Sequence, residues 1–325
     1  MYANLLSDGD REKLASLHSS DELVAFLGRS AAWRPAALAL PPVGATDEQF
    51  SEALSRCLFD DYERLYRFAN DASREYLIFI SYEAELRAIL AALRRLSDKA
   101  IEEFIPLPSQ AARLMRNVNL ERLKSAKTFP EVAEAVRGSM YFQILNSLEL
   151  DPKTGLPSFS DAALQLSSHF YRALGEHLAR GYRGPAKKEL AQTVTFRTDM
   201  LNISYILRLR RFGTPTQEAM RMLLPLHGAL GPEVERRILE AGSDEEAVAE
   251  IRASRVGKWL SGVDDVSPEQ LVRAAESAFY RKVMHGPPNL CVVDAFLTLK
   301  SNEADMLRRA FVALQYGLSP AQYML

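Results

Sequence analysis

Apolar side chains recur every three to four residues along most of the chain, and strict alternation of apolar and polar residues is nearly absent. Leu174, His177 and Leu178, for example, follow one face of a helix. A period near 3.6 residues predicts helices, whereas a period of two would predict half-buried strands. The apolar stretch 75–80 has strand propensity but runs directly into a helical pattern, so we interpret it as helix. The pattern predicts an all-α fold.

One local pattern, a tyrosine with an apolar residue three positions later, occurs three times near the end of an amphipathic segment. The tyrosines are Tyr62, Tyr171 and Tyr280, and both intervals are 109 residues, about a third of the chain. A polar cap and a short helical pattern come before each tyrosine. The polar residues are typical of a helix start, because the first N–H groups of a helix need partners from outside it. These opening segments cover 19–27, 128–136 and 242–251, and each is followed by a serine, at Ser30, Ser139 and Ser254.

A second amphipathic segment follows each tyrosine, at 82–90, 199–208 and 303–311. Gly213 and Gly317 stand at equivalent positions after the last two, where a helix end favours a left-handed residue. Three elements in the same order, three times, favour an internal repeat over chance similarity among alanine- and leucine-rich helices. We therefore predict three similar helical modules forming a pseudo-symmetric scaffold. Their ranges are 1–124, 125–238 and 239–325.

Composition narrows the class of protein. The net charge of −2 and the pI near 6.3 leave no global basic field for nucleic acid. Two cysteines, Cys57 and Cys291, give no disulfide framework, so we expect a reducing cytosol. The chain opens without the pattern of a signal peptide, and no stretch reaches the 18 or more apolar residues that a membrane span needs. We expect a protein that works outside the hydrocarbon of any membrane.

The usual signatures of catalysis and cofactor binding are missing. The sequence has no phosphate-binding Gly-x-x-x-x-Gly-Lys loop, no Gly-x-Gly-x-x-Gly and no His-Glu-x-x-His. His169 and His177 could share a helix face, but no third ligand lies nearby at metal spacing. We therefore expect no catalytic residue, no cofactor and no metal ion.

Polar residues of the second amphipathic segments are the candidate site. Asp199 and Asn202 stand at i and i+3, and Glu303 has a similar place in the third copy, so we interpret these three as polar residues that fix how the modules pack. Basic residues in the same segments could bind an acidic partner, although cations also favour helix C-termini and solvated faces. The candidates for partner binding are Arg94, Arg208, Arg211 and Arg308.

Asp-x-x-Asn-Ile-x-x-Ile-Leu-Arg at 199–208 resembles a motif of the C-subunit family of V-type ATPases (A-type in archaea), whose eukaryotic member is known as the d subunit. The segment 300–308, with the Gly-Leu turn at 317–318, is similar to the last helix of that family, and the residues at 2–7 and 22–27 are similar to its N-terminal pattern. The resemblance covers essentially the whole chain. Met306 stands where asparagine is usual, and the first copy has Tyr82 and Glu85 where aspartate and asparagine are common.

The resemblance implies a funnel of three modules around a pseudo-threefold axis, without catalytic activity of its own. It implies a peripheral position on the cytoplasmic face of a membrane complex, in one copy. The implied partners are the rotor axle subunits, of the D and F types, and the membrane proteolipid ring. On this hypothesis the four candidate arginines lie nearer the central cavity than the average arginine.

Two other classes remain open from the sequence. One is a helical-repeat adaptor unrelated to rotary ATPases, whose repeats would have periods of about 30–50 residues rather than 109. The other is a helical enzyme with a site at a module junction, which a buried carboxylate with a strongly shifted pKa would support.

Overall fold

A computed structural model describes residues 5–97, 117–261 and 267–323 of the chain. Within these ranges the protein folds into helices and forms no strand, and one isolated β-bridge joins Leu150 to Pro157. The predicted all-α class is confirmed. The ambiguous stretch 75–80 lies inside a helix of 27 residues, as its continuation into a helical pattern indicated.

Long helices come in three consecutive pairs, and short helices come before each pair. The pairs are α4 (Asp47–Phe68) with α5 (Asp71–Ser97), α9 (Phe159–Gly181) with α10 (Gly184–Arg211), and α14 (Pro268–Met284) with α15 (Leu290–Gln315). The short helices are α1 (Asp8–Ala15), α2 (Ser20–Arg29), α3 (Arg34–Leu38), α6 (Leu120–Ser125), α7 (Phe129–Ala135), α8 (Phe142–Asn146), α11 (Thr216–Arg221), α12 (Pro232–Glu240) and α13 (Asp244–Ala253). Two 3-10 turns complete the described part, at Gly257–Trp259 and Pro320–Tyr323.

The three serines of the sequence pattern make the same turn. Each side-chain oxygen accepts a hydrogen bond from the backbone N–H two residues later, and each of these bonds measures 3.2 Å. The donors are Ala32 for Ser30, Tyr141 for Ser139 and Val256 for Ser254. A hydroxyl that binds its own backbone in this way turns the chain out of a helix. The three segments thus share a local geometry, while the internal repeat and the three-module division of the chain stay predictions.

The chain divides into two compact units. The first contains residues 5–74 and 280–323 among those described, and the second contains 75–97, 117–261 and 267–279. In the first unit α15 packs against α2 and α4, and Phe50 stacks on Phe311 with ring centroids 4.1 Å apart. In the second unit Phe196 stacks on Phe279 at 3.8 Å. Each unit therefore has an aromatic core of its own.

No described helix combines the length and the apolar composition required to cross a membrane.

Gly257, which follows the third serine turn, offers a test of this local geometry. A β-carbon there would overlap the carbonyl oxygen of Arg252 and would force the backbone to move. We expect Gly257→Ala to lower the free energy of unfolding by about 2 kcal/mol or more, measured by urea denaturation. Gly175 lies inside α9 with nothing within 4 Å of an added β-carbon. Gly175→Ala should leave stability unchanged or raise it by about 1 kcal/mol, since alanine favours helix. Equal losses in both variants would contradict the expected clash.

Candidate functional site

Glu303 on α15 is the centre of a buried polar cluster in the first unit. One carboxylate oxygen accepts the backbone N–H of Leu6 at 2.9 Å and the Arg11 guanidinium at 3.2 Å, and the other accepts the indole N–H of Trp33 at 3.1 Å. Burial raises the pKa of Glu303, and its donors oppose part of that rise. This one side chain ties α15 to the segment that contains α1, α2 and α3.

Lys300, one turn before Glu303, is completely buried. Its ammonium group donates to the carbonyl oxygen of Ala32 at 2.6 Å, lies 4.0 Å from the centroid of the Trp33 ring and is 3.7 Å from the Asp61 carboxylate. Burial lowers the pKa of Lys300, and the neighbouring acids oppose this. A buried charge is tolerated only when it is paired and hydrogen-bonded, and Lys300 meets both conditions.

Asp199 on α10 holds a backbone turn in the second unit. Its carboxylate accepts three consecutive backbone N–H groups, from Gly228 at 2.9 Å, Ala229 at 2.6 Å and Leu230 at 3.2 Å. A β-carbon on Gly228 would lie 2.7 Å from a carboxylate oxygen of Asp199, so the close approach requires glycine. Burial raises the pKa of Asp199, and the three N–H groups counteract it.

Asn202, one turn further along α10, binds the same loop. Its side-chain oxygen accepts the N–H of Leu224 at 2.8 Å, and its side-chain nitrogen donates to the Leu224 carbonyl at 3.1 Å and to Glu235 on α12 at 2.7 Å. His227 lies 3.4 Å from the same oxygen of Glu235. The amide of Asn202 thus satisfies both backbone groups of Leu224, because an amide side chain can accept and donate at the same time.

Asp199 and Glu303 make equivalent bonds in their two units. Leu230 directly precedes Gly231, the N-cap of α12, and Leu6 directly precedes Ser7, the N-cap of α1. In both places a carboxylate on a long helix accepts a hydrogen bond from the N–H just ahead of a short helix. A negative charge at that position also interacts favourably with the dipole of the short helix. The interpretation of Asp199, Asn202 and Glu303 as module-packing residues stays a prediction, but all three are buried and hydrogen-bonded.

Glu85 on α5 is completely buried and lacks such donors. No described residue makes a hydrogen bond of normal geometry to either carboxyl oxygen. Burial therefore raises the pKa of Glu85 to about 7, and the nearby N–H of Asn117 opposes only part of this rise. Nearby, the Tyr141 hydroxyl donates to the Tyr82 carbonyl at 2.7 Å, so it is committed to the backbone. Glu85 thus lacks the hydrogen bonds that stabilise the charged forms of Asp199 and Glu303.

The four candidate arginines differ in their surroundings. Arg94 lies over the Phe159 ring at 6.0 Å, Arg208 is exposed, and Arg211 is half exposed at 3.9 Å from Asp244. Arg308 is mostly buried and bonds Asp305 at 2.6 Å and the Ser55 hydroxyl at 2.8 Å. Arg308 is thus engaged within the first unit, and a role in partner binding stays a prediction for all four.

Sequence reasoning missed two arginines that hold helix ends. Arg210 donates to four carbonyl oxygens, two in the last turn of α12 (Ile238 and Leu239) and two in the loop before α13 (Ala241 and Ser243). Arg95 donates to those of Leu123 and Ala126 at the end of α6. The contacts of Arg210 range from 2.6 to 3.3 Å. Five fixed N–H donors suit a guanidinium to such a set of carbonyls. The sequence places Arg210 next to Arg211 and gave no sign that Arg210 is the buried one of the pair.

The described residues contain no group of three or more His, Cys, Asp or Glu side chains that could hold a metal ion. His177 contacts the Phe79 ring at 5.0 Å, and burial lowers its pKa. His169 lies 6.5 Å from the Tyr141 ring, so both histidines have aromatic neighbours.

These contacts define a class of protein: a helical scaffold whose buried charged groups bind its own backbone. The chain belongs to the ATP synthase (C/AC39) subunit family, whose model matches residues 1–324. A relative from Pyrococcus horikoshii, described as the C subunit of an A-type ATP synthase, is 25% identical over 242 residues. That alignment covers 73% of this chain and 61% of the relative, so the chain matches less than two thirds of that protein's length.

Glu85→Gln tests the buried acid. The folded-state pKa of about 7 lies above the ordinary 4.5, so folding favours the protonated form. The wild-type protein should therefore lose stability as the pH rises from about 4.5 to 7. We expect Glu85→Gln to raise the free energy of unfolding by about 2 kcal/mol at about pH 8 and by about zero at pH 4. The measurement is urea denaturation across pH, and the exposed acid Glu121, as Glu121→Gln, is the control. A benefit independent of pH would contradict the assignment.

Lys300→Met tests the cluster in the first unit. The variant removes the buried cation beside Asp61 and the donor to the Ala32 carbonyl, and we expect a loss of about 3 kcal/mol in the free energy of unfolding. Glu303 keeps its contact with Arg11. Lys300→Met combined with Asp61→Asn should recover part of this loss. Lys124→Met, at an exposed pair with Glu121, should change stability by less than about 0.5 kcal/mol. A loss at Lys300 no larger than at Lys124 would show that the cluster is not structural.

Proposed function

We propose that this protein is a non-catalytic central-stalk subunit of a rotary V/A-type ATPase. In this role it couples the rotor axle to the membrane proteolipid ring, for ATP-driven ion transport or ATP synthesis. The observation that carries the proposal is the family match along residues 1–324. The name of the Pyrococcus relative, the C subunit of an A-type ATP synthase, supports the same class of complex.

The proposal includes three helical modules around a pseudo-threefold axis, in a funnel that receives the axle. The three identical serine turns and the equivalent bonds of Asp199 and Glu303 support it, because independent segments would have no reason to share them. One copy per complex then sits at the cytoplasmic face, as a peripheral component. Because a pseudo-threefold piece cannot match a ring of another subunit number symmetrically, its contacts with the ring are uneven.

A coupling piece must transmit torque without losing it as elastic strain. Densely packed helices suit this task because protein interiors have low compressibility. Buried ionic contacts add to it, since pulling Lys300 from Asp61 or Glu303 from Leu6 would leave desolvated groups unpaired. A helical-repeat adaptor would not need this rigidity and would have shorter repeats than 109 residues.

Basic side chains at the end of α10 supply the proposed contact with the axle. Arg208 and Arg211 stand three residues apart and are exposed, so they share a face of the helix. Arg94 has a similar exposed place on α5. Arg308 contributes less than these, because Asp305 and Ser55 already hold its guanidinium.

Purification from native membranes tests this function. A tagged wild-type chain should travel with the nucleotide-binding subunits, the axle subunits and the proteolipid ring. We expect Arg208→Glu combined with Arg211→Glu to reduce the axle subunits recovered by at least about fivefold, because reversing both charges repels an acidic partner. Arg122→Glu, at an exposed arginine of α6, is the matched control and should recover normal amounts.

Two outcomes would count against the proposal. A wild-type chain that brings down no ATPase subunit would refute membership of the rotor. An unchanged recovery with the double variant would leave the coupling role intact but remove these arginines from the axle contact.

A further inference from the structure

Helices α10 and α15 end in the same motif. Gly213 and Gly317 have φ of 66° and 69°, a conformation that glycine adopts without strain. In each case the glycine N–H and the next N–H bond back to carbonyl oxygens of the last turn, which seals the helix end. The bonds run from Gly213 to Arg210 (2.9 Å), Thr214 to Leu209 (3.0 Å), Gly317 to Leu314 (3.1 Å) and Leu318 to Ala313 (2.9 Å).

An aromatic residue stands directly before each glycine, and both are exposed. Phe212 and Tyr316 are the C-cap residues of α10 and α15, with 78% and 77% of their surface open to solvent. The helix end requires the glycine, but it does not require an aromatic ring beside it. Because so little of either ring is buried, neither contributes much to the stability of its own unit.

Exposed arginines lie on the same helices as both rings. Arg208 and Phe212 are four residues apart on α10 and share a face, with Arg211 next to them. Arg309, exposed on α15, stands two turns before Tyr316 on the same side of the helix. Aromatic residues and arginine are the residues that most often carry the binding energy of protein interfaces.

A rigid support lies beneath Phe212. The neighbouring Arg210 bonds carbonyl oxygens in the last turn of α12 and in the loop that follows it, so the end of α10 is fixed to the rest of its unit. A side chain on such a support loses little freedom when it enters a partner's pocket. On α5 the position that corresponds to Phe212 is Arg95, which is half-buried and bonds the end of α6. The first copy therefore has no exposed aromatic ring at this position.

We propose that Phe212 and Tyr316 are anchor residues that insert into apolar pockets of the rotor axle, at sites lined by the axle's carboxylates. This inference rests on the proposed function and deepens it. The basic flanks select an acidic protein surface as the occupant. A symmetric pair of copies of this chain would instead bring like charges together, because a twofold interface sets the same patch against itself.

The test measures binding of the purified chain to the purified axle subunits of the same organism by calorimetry. We expect Phe212→Ala and Tyr316→Ala each to weaken binding at least about tenfold, and the double variant to weaken it further. Thermal unfolding of the free chain should stay unchanged, since both rings are exposed. Phe68→Ala is the matched control: Phe68 ends α4, is 87% exposed, and should bind the axle like the wild type.

The outcomes separate this inference from the proposed function. If the double variant binds the axle normally, Phe212 and Tyr316 are not anchor residues. Binding of the wild-type chain to the axle would still support the coupling role in that case. A wild-type chain that binds no axle would overturn both. A double variant that binds the axle normally but loses self-association, or loses binding to phosphatidylglycerol vesicles, would assign the rings to a second copy or to lipid headgroups and would also refute the proposal.

Discussion

The structure depends on carboxylates of long helices that satisfy backbone N–H groups at the start of a short helical segment. The first N–H groups of a helix and of the loop before it have no partners of their own, and leaving them buried and unpaired costs free energy. Asp199 and Glu303 supply that partner from inside a long helix rather than from the loop itself. Each short segment is therefore placed relative to a rigid element, and the core can close around it.

Carbonyl groups at the other end of a segment need the opposite charge. Arg95 and Arg210 provide it in the second unit, and Lys300 binds the Ala32 carbonyl in the first. An acid for N–H groups and a cation for carbonyls match both the hydrogen-bonding needs and the dipole of a short helix. The same pairing recurs although the identity of the cation changes, because the requirement comes from the backbone and not from a particular side chain.

Much of the fold could be predicted because helical periodicity and capping are local. The left-handed Gly213 and Gly317 and the cap at Ser19 could be read from neighbouring residues alone. The partners of Lys300 could not, since Ala32 and Asp61 lie more than two hundred residues away in the chain. Burial of one arginine of a pair was equally hidden, because Arg210 and Arg211 differ only in the face of α10 they occupy.

Glu85 shows what happens when the rule is only partly met. At the position that Asn202 fills in α10, an amide both accepts and donates, and every group of Leu224 is satisfied. Glu85 in α5 can donate only when protonated, and no described residue gives it a well-formed bond. Burial without such donors raises the pKa of Glu85 to about 7, so this acid is protonated below that pH and charged above it. Asp199 and Glu303 differ from Glu85 because backbone N–H donors oppose the rise in pKa that burial causes in both.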